Sequence, residues 1–211
     1  MTSKKKLLRK SRLYLILDKK TAGRTPLTEV AKKILDAKTD IMQLRDKTSD
    51  KLEVLKEALL LKVLLRNTRT LFIVNDYPDI AALCGADGVH LGRSDAQLKE
   101  ARRLLGRDKI IGISCRCLKQ ALDAQKGGAD YIGIGPVCRT PLKNARPIGL
   151  AELRKLKGLI RIPYFAIGGV EKKNLDHILK AGAQRVAVCR AVLKAKRPAK
   201  EIEALQILLN K

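Results

Sequence analysis

The feature that most constrains this chain is an eightfold alternation between short apolar runs and amphipathic stretches. Apolar runs of this length are typical of buried strands, and the stretches between them have the spacing of helices. The predicted strands are residues 13–17, 41–45, 71–75, 88–91, 110–114, 131–137, 164–167 and 185–189. The predicted helices are residues 26–37, 50–66, 78–84, 94–105, 118–126, 149–156, 173–180 and 201–209.

Two of these helices carry capping signals. Thr25 is the predicted N-cap of the first helix, and Pro26 occupies its first position, where no N–H is needed. Ser94 and Gln97 form a predicted capping box for the fourth.

Three strands are preceded by similar three-residue motifs: GAD at Gly85, GAD at Gly128 and GAQ at Gly182. A glycine that ends a helix just before a strand is what a repeated strand–helix unit requires. Apolar strands separated by helices indicate a parallel sheet buried on both faces, and eight such strands predict a (β/α)8 TIM barrel. An open doubly wound sheet is the alternative, but no G-x-G-x-x-G motif follows the first strand.

The 211 residues predict a single α/β domain over residues 12–211, preceded by a flexible basic arm over residues 1–11. No run approaches the roughly 20 apolar residues that a membrane span needs. The basic N-terminus is not followed by a small-residue cleavage site, which argues against a secretory signal. We therefore expect a cytoplasmic protein. Oligomeric state is left open, with a homo-oligomer as one alternative.

Five cysteines are present, at positions 84, 115, 117, 138 and 189. Their number is odd, no C-x-x-C pair occurs, and only two histidines accompany them. Cys115 and Cys117 would point to the same side of a strand, but two ligands do not make a zinc site. The prediction is reduced, mostly buried thiols.

The net charge of +24 makes nucleic acid an obvious candidate partner. Lys and Arg are spread along nearly every predicted helix, however, and aromatic residues, which would stack on bases, make up only 3% of the chain. A basic surface that attracts anionic small molecules is the simpler interpretation. A non-catalytic basic barrel that binds nucleic acid remains an alternative.

In a TIM barrel the functional site lies at the carboxyl ends of the strands. On the second strand, Gln43 and Arg45 alternate onto one face, and Lys47 continues that face into the loop. Inward polar groups on an apolar strand are unfavourable unless something satisfies them. An anion or a polar heterocycle is therefore the expected partner.

Two carboxylates follow neighbouring strands. Asp76 comes after Asn75 at the end of the third strand, and Asp95 follows the fourth. Together they predict a Mg²⁺ site, because Mg²⁺ prefers carboxylates combined with substrate phosphate and water. Asp95 also fits a helix first turn, and Asp76 also fits a turn before Pro78.

The sixth strand leads into a loop in which Pro141 keeps Thr140 out of helical geometry. Thr140 and Lys143 are then presented at the strand end, where a hydroxyl, an ammonium group and free backbone N–H groups can bind phosphate. An ordinary connecting loop is the alternative.

The remaining strand ends add further candidates. Ser114 is a hydrogen-bond donor or a turn residue, and Gly168 and Gly169 let a ligand approach backbone N–H groups. Arg190 follows the eighth strand, where this fold often binds phosphate. His90 is predicted to be a hydrogen-bonded core residue.

Taken together, these residues resemble the thiamine phosphate synthase family. The matching motifs run in order over nearly the whole chain after residue 12, and their combination is specific although each one alone is not. They are Gln43-Leu-Arg45-Asp-Lys47, Asn75-Asp76, His90-Leu-Gly-x-x-Asp95, Gly135-Pro136-Val137, Thr140-x-x-Lys143 and Ala166-Ile-Gly168-Gly169.

The resemblance implies a barrel transferase that joins hydroxymethylpyrimidine pyrophosphate to thiazole phosphate and releases pyrophosphate with the assistance of Mg²⁺. It implies that Asp76 and Asp95 hold the metal, that Gln43 contacts the pyrimidine, and that Ser114 lies by the amino group of that ring. Gly169, next to Gly168, would bind the thiazole phosphate. The residues implied to bind pyrophosphate are Arg45, Lys47, Asn75, Thr140 and Lys143. We expect Lys143, Arg45 and Ser114 to be catalytic.

Three positions depart from the family pattern. Leu142 stands where a second threonine is usual, Arg116 where histidine is common, and Arg190 where serine is common. The change at 142 removes one phosphate contact, and the arginines add charge.

The implied mechanism is dissociative, with a pyrimidine carbocation captured by the thiazole nitrogen. It needs no strong nucleophile, which agrees with the lack of a Ser/His/Asp or Cys/His motif. A related thiazole tautomerase is the nearest alternative, and Asp76 and Asp95 argue against it because that barrel lacks the acids.

Overall fold

Eight parallel strands close into a barrel. The computed structural model describes residues 2–92, 97–141 and 145–210. Each strand pairs in parallel with the next, and the first pairs with the last, so the closed order is β1 to β8. The strands are β1 Leu13–Asp18, β2 Ile41–Arg45, β3 Leu71–Asn75, β4 Gly88–Leu91, β5 Ile110–Cys115, β6 Tyr131–Ile134, β7 Tyr164–Ile167 and β8 Val186–Val188. The predicted (β/α)8 barrel is confirmed.

Helices surround the barrel. They are α1 Ser3–Lys10, α2 Lys19–Ala22, α3 Leu27–Ile34, α4 Lys51–Leu65, α5 Pro78–Leu83, α6 Leu98–Leu105, α7 Leu118–Lys126, α8 Gly149–Arg154, α9 Lys172–Lys180, α10 Arg190–Leu193 and α11 Pro198–Leu209. Among the described residues, no helix is both long enough and apolar enough to cross a membrane.

The buried side chains form two cores. The larger lies between the strands and the surrounding helices and contains the outward-facing strand residues, such as Leu15, Leu44 and Val74. The smaller fills the barrel interior and includes Tyr14, Tyr131 and Phe165. This division follows from the alternation of side chains along each strand, which sends successive residues to opposite faces.

The N-terminal segment corrects the expectation of a flexible arm. Residues Ser3–Lys10 form α1, and Leu8, only 2% exposed, packs into the inner core. Lys4 and Lys5 make ion pairs of 2.6 and 2.8 Å with Asp87 and Asp130. One buried leucine and two lysines hold this short helix against the barrel.

The aspartates that receive these lysines are the third residues of the two GAD motifs. Asp87 Oδ2 accepts a hydrogen bond from the backbone N–H of Phe72 at 2.8 Å, and Asp130 Oδ2 accepts one from Ile111 at 2.9 Å. Burial opposes ionisation of Asp87, but the Lys4 and Phe72 hydrogen bonds outweigh it and lower its pKa. The aspartates of the two GAD motifs therefore anchor α1, and their glycines end the preceding helices.

Some predicted element bounds were wrong. Thr25 is not an N-cap, because Pro26 takes that position and makes no side-chain capping bond. The sixth strand ends at Ile134, where the chain turns through a cis Gly135–Pro136 peptide. The short helices α2 and α10 carry no long amphipathic pattern and were not predicted. Ser94, the predicted capping residue, lies outside the described residues.

All five cysteines are free, as predicted. Two of them, Cys84 and Cys115, are fully buried, and the other three are partly buried.

Shortening Leu8 should destabilise the barrel. We expect Leu8→Ala to lower the free energy of unfolding by about 2–4 kcal/mol, because a large buried side chain is removed from the inner core. Leu83→Ala is the matched control, since Leu83 is 70% exposed and should change stability by less than about 0.5 kcal/mol. Urea unfolding followed by circular dichroism measures both. Equal stability of the two variants would show that α1 does not stabilise the barrel.

Candidate functional site

The ends of β1 and β2 place opposite charges side by side. Asp18 and Arg45 are register partners, and the Arg45 guanidinium makes an ion pair with the Asp18 carboxylate. The other oxygen of Asp18 accepts hydrogen bonds from the Thr21 N–H at 2.8 Å and the Thr21 hydroxyl at 2.6 Å. Asp18 is only 2% exposed. Its buried carboxylate therefore holds the Arg45 guanidinium in one position. Since a guanidinium has five N–H donors, Arg45 keeps others for a ligand.

Sequence reasoning missed Asp18. It directly follows the first predicted strand, residues 13–17. A buried aspartate opposite an arginine on the neighbouring strand is visible once the strand register is known, and the sequence does not give that register.

The next rim residues form a second ion pair. Lys47 Nζ lies 2.5 Å from Asp76 Oδ2. Asp76 has a φ of +68°, which is uncommon for a residue with a side chain and is often found at functional sites. Its backbone N–H donates to the His90 carbonyl at 2.9 Å, and its neighbour Asn75 is buried. The turn therefore fixes the Asp76 carboxylate at the rim beside Lys47.

A cavity opens at the carboxyl ends of β6, β7, β8 and the β1–β2 pair. It brings together five of the predicted site residues, namely Arg45, Thr140, Gly168, Gly169 and Arg190. It is also lined by Asp18 and Arg139, which were not predicted as site residues. Arg139 lies one residue before Thr140, inside the predicted phosphate loop, so its position in the sequence was the available signal.

The two glycines are required by close packing. Gly168 and Gly169 have φ values of +91° and +68°. A Cβ on Gly168 would lie 2.4 Å from Pro136 Cβ, and one on Gly169 would lie 2.5 Å from the Arg139 carbonyl oxygen. The β7 loop therefore lies directly against the β6 loop, and side chains are excluded from that contact.

The start of α9 holds the glycine loop in place. Asn174 donates a hydrogen bond to the Gly169 carbonyl at 2.7 Å and accepts one from the Glu171 N–H at 2.9 Å. The Glu171 side chain in turn accepts a hydrogen bond from the Asn174 backbone N–H, which completes a capping box. The capping box thus fixes one wall of the cavity.

Five polar side chains form a continuous chain through the barrel interior. Gln43 Nε2 donates to the Tyr14 hydroxyl at 2.7 Å, and the two tyrosine hydroxyls of Tyr14 and Tyr131 are 2.9 Å apart. The Tyr131 hydroxyl lies 3.0 Å from His90 Nδ1, and His90 Nε2 lies 2.9 Å from Ser114 Oγ. The prediction that His90 is a hydrogen-bonded core residue is confirmed. Sequence reasoning missed both tyrosines, because they lie inside apolar runs.

The environment keeps both phenols protonated. Burial raises the pKa of Tyr14 above its ordinary value, although hydrogen bonds from Tyr131 and Gln43 oppose the shift. Burial also raises the pKa of Tyr131. Each hydroxyl therefore has one proton to donate.

Within the described residues, His90 and Ser114 form a Ser–His pair to which no triad carboxylate is hydrogen-bonded. The second nitrogen of His90 faces a neutral phenol, Tyr131, instead of a buried carboxylate. A charged imidazole would lack the stabilisation that the triad aspartate provides. The Cys115 and Cys189 thiols are also poor nucleophiles, since burial raises the pKa of each to about 12.

Several predicted residues lie outside the cavity or outside the described chain. Gln43 and Ser114 are joined to each other by the interior chain, and Lys47 and Asp76 lie on the neighbouring rim. Three positions of the sequence-based proposal, Asp95, Leu142 and Lys143, are outside the described residues. Within the described ranges, no group of three or more His, Cys, Asp or Glu side chains is placed to hold a metal ion. The Arg116 side chain donates to the Arg146 carbonyl at 2.9 Å.

These features define a (β/α)8 barrel whose mouth gathers cationic side chains around a glycine-walled cavity. The family model described as thiamine monophosphate synthase matches residues 13–192. The chain therefore belongs to the thiamine monophosphate synthase family, and the family expectation from the sequence is confirmed.

The relatives with the following similarities have names that agree with this family. The chain is 42% identical over 187 residues to the thiamine-phosphate synthase of Shouchella clausii, covering 88% of this chain and 90% of that one. It is 40% identical over 190 residues to the thiamine-phosphate synthase of Halalkalibacterium halodurans, covering 89% and 90%. The solved thiamine phosphate pyrophosphorylase from Pyrococcus furiosus superposes with a TM-score of 0.88 at 36% identity, covering 97% of this chain and 98% of that one.

Adding a methyl group to Gly169 should cost more stability than adding one to Gly85. Both glycines have nearly the same φ, +68° and +67°, but a Cβ on Gly85 meets nothing within 4 Å. We expect Gly85→Ala to lower the free energy of unfolding by about 1 kcal/mol, from backbone strain alone. Gly169→Ala should lower it by about 1–3 kcal/mol more, because the Cβ collides with the Arg139 backbone. Equal losses in urea unfolding would mean that the β6 and β7 loops are not in close contact.

Proposed function

We propose that the protein couples hydroxymethylpyrimidine pyrophosphate to thiazole phosphate, forming thiamine phosphate and pyrophosphate. The observation that carries the proposal is the mouth cavity, where Arg45, Thr140 and Gly169 converge from three separate strand ends. The chain belongs to the thiamine monophosphate synthase family. The reaction that we propose from this membership would use cations and phosphate-loop residues gathered in this way.

Arg45 is the central pyrophosphate ligand in this proposal. Its guanidinium is oriented by Asp18 before any substrate arrives, so little side-chain entropy is lost on binding. Thr140, which lines the same cavity, is assigned to the same group through its hydroxyl. Lys47, Asn75 and Lys143 complete the set that we assign to pyrophosphate.

We assign Mg²⁺ to Asp76 and Asp95. The donor chemistry fits, because a carboxylate is a hard oxygen ligand and Mg²⁺ is bound in proteins by one or two carboxylates plus substrate phosphates. The Asp76 carboxylate pairs with the Lys47 ammonium, so Mg²⁺ would take over that carboxylate and leave Lys47 for the pyrophosphate. When bound, the ion would offset the negative charge that develops on the leaving pyrophosphate.

The thiazole phosphate is assigned to the glycine loop after β7. Gly168 and Gly169 have no side chains to block the approach of an anion to their backbone N–H groups. Arg190 lines the same cavity from the end of β8 and is positioned to add a positive charge, although serine is common there in the family. The departure at this position is therefore compatible with phosphate binding.

The pyrimidine ring is assigned to Gln43 and Ser114. In the dissociative reaction, the bond between the pyrimidine methylene carbon and the pyrophosphate oxygen breaks, and the electron pair leaves with pyrophosphate. The carbocation is stabilised by the amino-substituted ring. The thiazole nitrogen then donates its lone pair to the methylene carbon to form the new C–N bond.

The protein's contribution is alignment of the two substrates and stabilisation of the leaving group's charge. No side-chain nucleophile or general base is required. The contact of His90 Nδ1 with a phenol and the raised pKa values of the Cys115 and Cys189 thiols agree with this assignment.

The direct test is formation of thiamine phosphate from the two substrates, with and without Mg²⁺. The proposal expects product and pyrophosphate in equal amounts, and a loss of turnover when the metal is chelated. A protein that isomerises thiazole carboxylate phosphate without coupling it would be a tautomerase. Salt-sensitive binding of DNA or RNA without any turnover would favour the nucleic-acid alternative.

Asp76→Asn should abolish Mg²⁺-dependent turnover, because an amide oxygen is a weaker ligand for a hard dication than a carboxylate. Asp79→Asn is the matched control, since Asp79 pairs with Lys51 at 2.8 Å on the outer side of the rim. Steady-state turnover against Mg²⁺ concentration compares the two. Full activity of Asp76→Asn at low Mg²⁺ would remove Asp76 from the metal site.

Lys143→Ala should lower turnover by roughly 10²–10³-fold, the usual effect of removing one preorganised donor at a site of developing charge. The KM for thiazole phosphate should change much less, because that phosphate is assigned to Gly168 and Gly169. Lys119→Ala is the control, since Lys119 is an exposed lysine on α7. Near-normal turnover of Lys143→Ala would mean that the loop after β6 only connects two elements.

A further inference from the structure

The interior hydrogen-bond chain reaches from β2 to β5 through the centre of the barrel. In order, it joins Gln43, Tyr14, Tyr131, His90 and Ser114 by four contacts of 2.7, 2.9, 3.0 and 2.9 Å. Its two ends are the residues assigned to the pyrimidine. The three residues between them have no assigned role in binding or catalysis.

Packing holds the middle of this chain in one geometry. The rings of Tyr14 and Tyr131 both meet Phe165 edge to face, with centroids 5.3 and 5.7 Å apart. Gly112 leaves space for Tyr131, because a Cβ there would lie 2.0 Å from Tyr131 Cζ. On the next strand, a Cβ on Gly133 would lie 3.2 Å from His90 Cε1. The backbone is thus shaped around the tyrosine and histidine rings.

Hydrogen-bond donation along this interior chain runs in one direction, because each hydroxyl carries only one proton. Gln43 donates to Tyr14, so the Tyr14 proton goes to Tyr131, and the Tyr131 proton goes to His90 Nδ1. A neutral imidazole that accepts at Nδ1 carries its proton on Nε2. That proton is donated to Ser114 Oγ.

This order sets the hydrogen-bonding character of both ends. Ser114 receives a proton from His90 and keeps its own for a ligand. One N–H of Gln43 donates to Tyr14, and no side chain or backbone group among the described residues donates to the Gln43 carbonyl oxygen. The two ends therefore offer one donor, the Ser114 hydroxyl, and one acceptor, the Gln43 carbonyl.

We propose that Tyr14, Tyr131 and His90 are positioning residues that order Ser114 as a donor and Gln43 as an acceptor for an aminopyrimidine. Such a ring carries a nitrogen that accepts and an amino group that donates, and it matches this pair. A ring with a carbonyl in place of the amino group would leave the Gln43 acceptor facing another acceptor, which is unfavourable in a buried site. The proposal rests on the function proposed above, since it concerns the pyrimidine of that reaction.

The first measurement needs no substrate. ¹⁵N NMR of the histidine-labelled protein reports which ring nitrogen carries the proton, and His177→Gln, an exposed change on α9, identifies the His90 signals. We expect a single neutral form of His90 protonated on Nε2. A form protonated on Nδ1, or on both nitrogens, would overturn the proposed order.

The second measurement asks whether Tyr131 acts through Ser114. Tyr131→Phe keeps the ring and removes the hydroxyl, and it should lower kcat/KM for the pyrimidine substrate by about tenfold, the effect of one lost hydrogen bond. In a Ser114→Ala background the same change should alter kcat/KM by less than about twofold, since the residue it orders is gone. The KM for thiazole phosphate should not move in either background.

Tyr164→Phe is the matched control, because it removes a hydroxyl that donates to the Gly182 carbonyl at 2.8 Å, away from the chain. It should leave kcat/KM unchanged. Thermal unfolding confirms that each variant is folded, and the histidine NMR measurement decides the proposed order if Tyr131→Phe does not fold.

The outcomes separate the two proposals. Additive losses from Tyr131→Phe and Ser114→Ala, or no loss from Tyr131→Phe, would overturn the positioning role while thiamine phosphate formation stands. Absence of thiamine phosphate formation by the unaltered protein would overturn the proposed function, and the histidine measurement would still decide whether Ser114 is ordered as a donor.

Discussion

Closure of eight parallel strands determines the rest of this structure. A closed sheet has no unpaired edge, and all eight carboxyl ends meet at one rim. Residues far apart in the sequence, such as Arg45, Thr140 and Arg190, are thereby brought to one cavity. The same closure creates an enclosed interior, and side chains that point inward must fill it or satisfy one another there.

Two kinds of side chain fill the barrel interior. At the amino-terminal end, Leu8 of α1 and apolar residues such as Ile41 and Leu71 fill the space. Towards the mouth, hydrogen-bonded polar groups take over, with the two tyrosines at the transition. Buried polar groups are stable only when each one has a partner, and the hydrogen bonds from Gln43 to Ser114 give each of these five side chains at least one.

Charge is balanced locally although the chain as a whole is strongly basic. At the mouth, Asp18 and Asp76 each hold one cation in a defined position, Arg45 and Lys47 respectively. At the opposite end, Asp87 and Asp130 hold the lysines of α1. The acids of this protein are few, and these four serve to fix cations at the two ends of the barrel.

Much of the fold could be predicted from the sequence because its signals are local. Apolar runs and helix-ending glycines identify the strands, and residues such as Arg45 and Gly169 are recognisable at strand ends. What could not be predicted depends on contacts between distant residues. The Asp18–Arg45 pair requires the β1–β2 register, the tyrosine chain requires the barrel interior, and docking of α1 requires the surface that Asp87 and Asp130 present.

The assignment of residues to substrate groups remains a prediction that one structure would test. In a crystal of the protein with Mg²⁺ and pyrophosphate, we expect pyrophosphate between Arg45 and Thr140, with the Lys143 ammonium on the same oxygens. Mg²⁺ should lie about 2.1 Å from carboxylate oxygens of Asp76 and Asp95. Pyrophosphate bound elsewhere in the barrel, or a metal ion without either carboxylate as a ligand, would contradict the account.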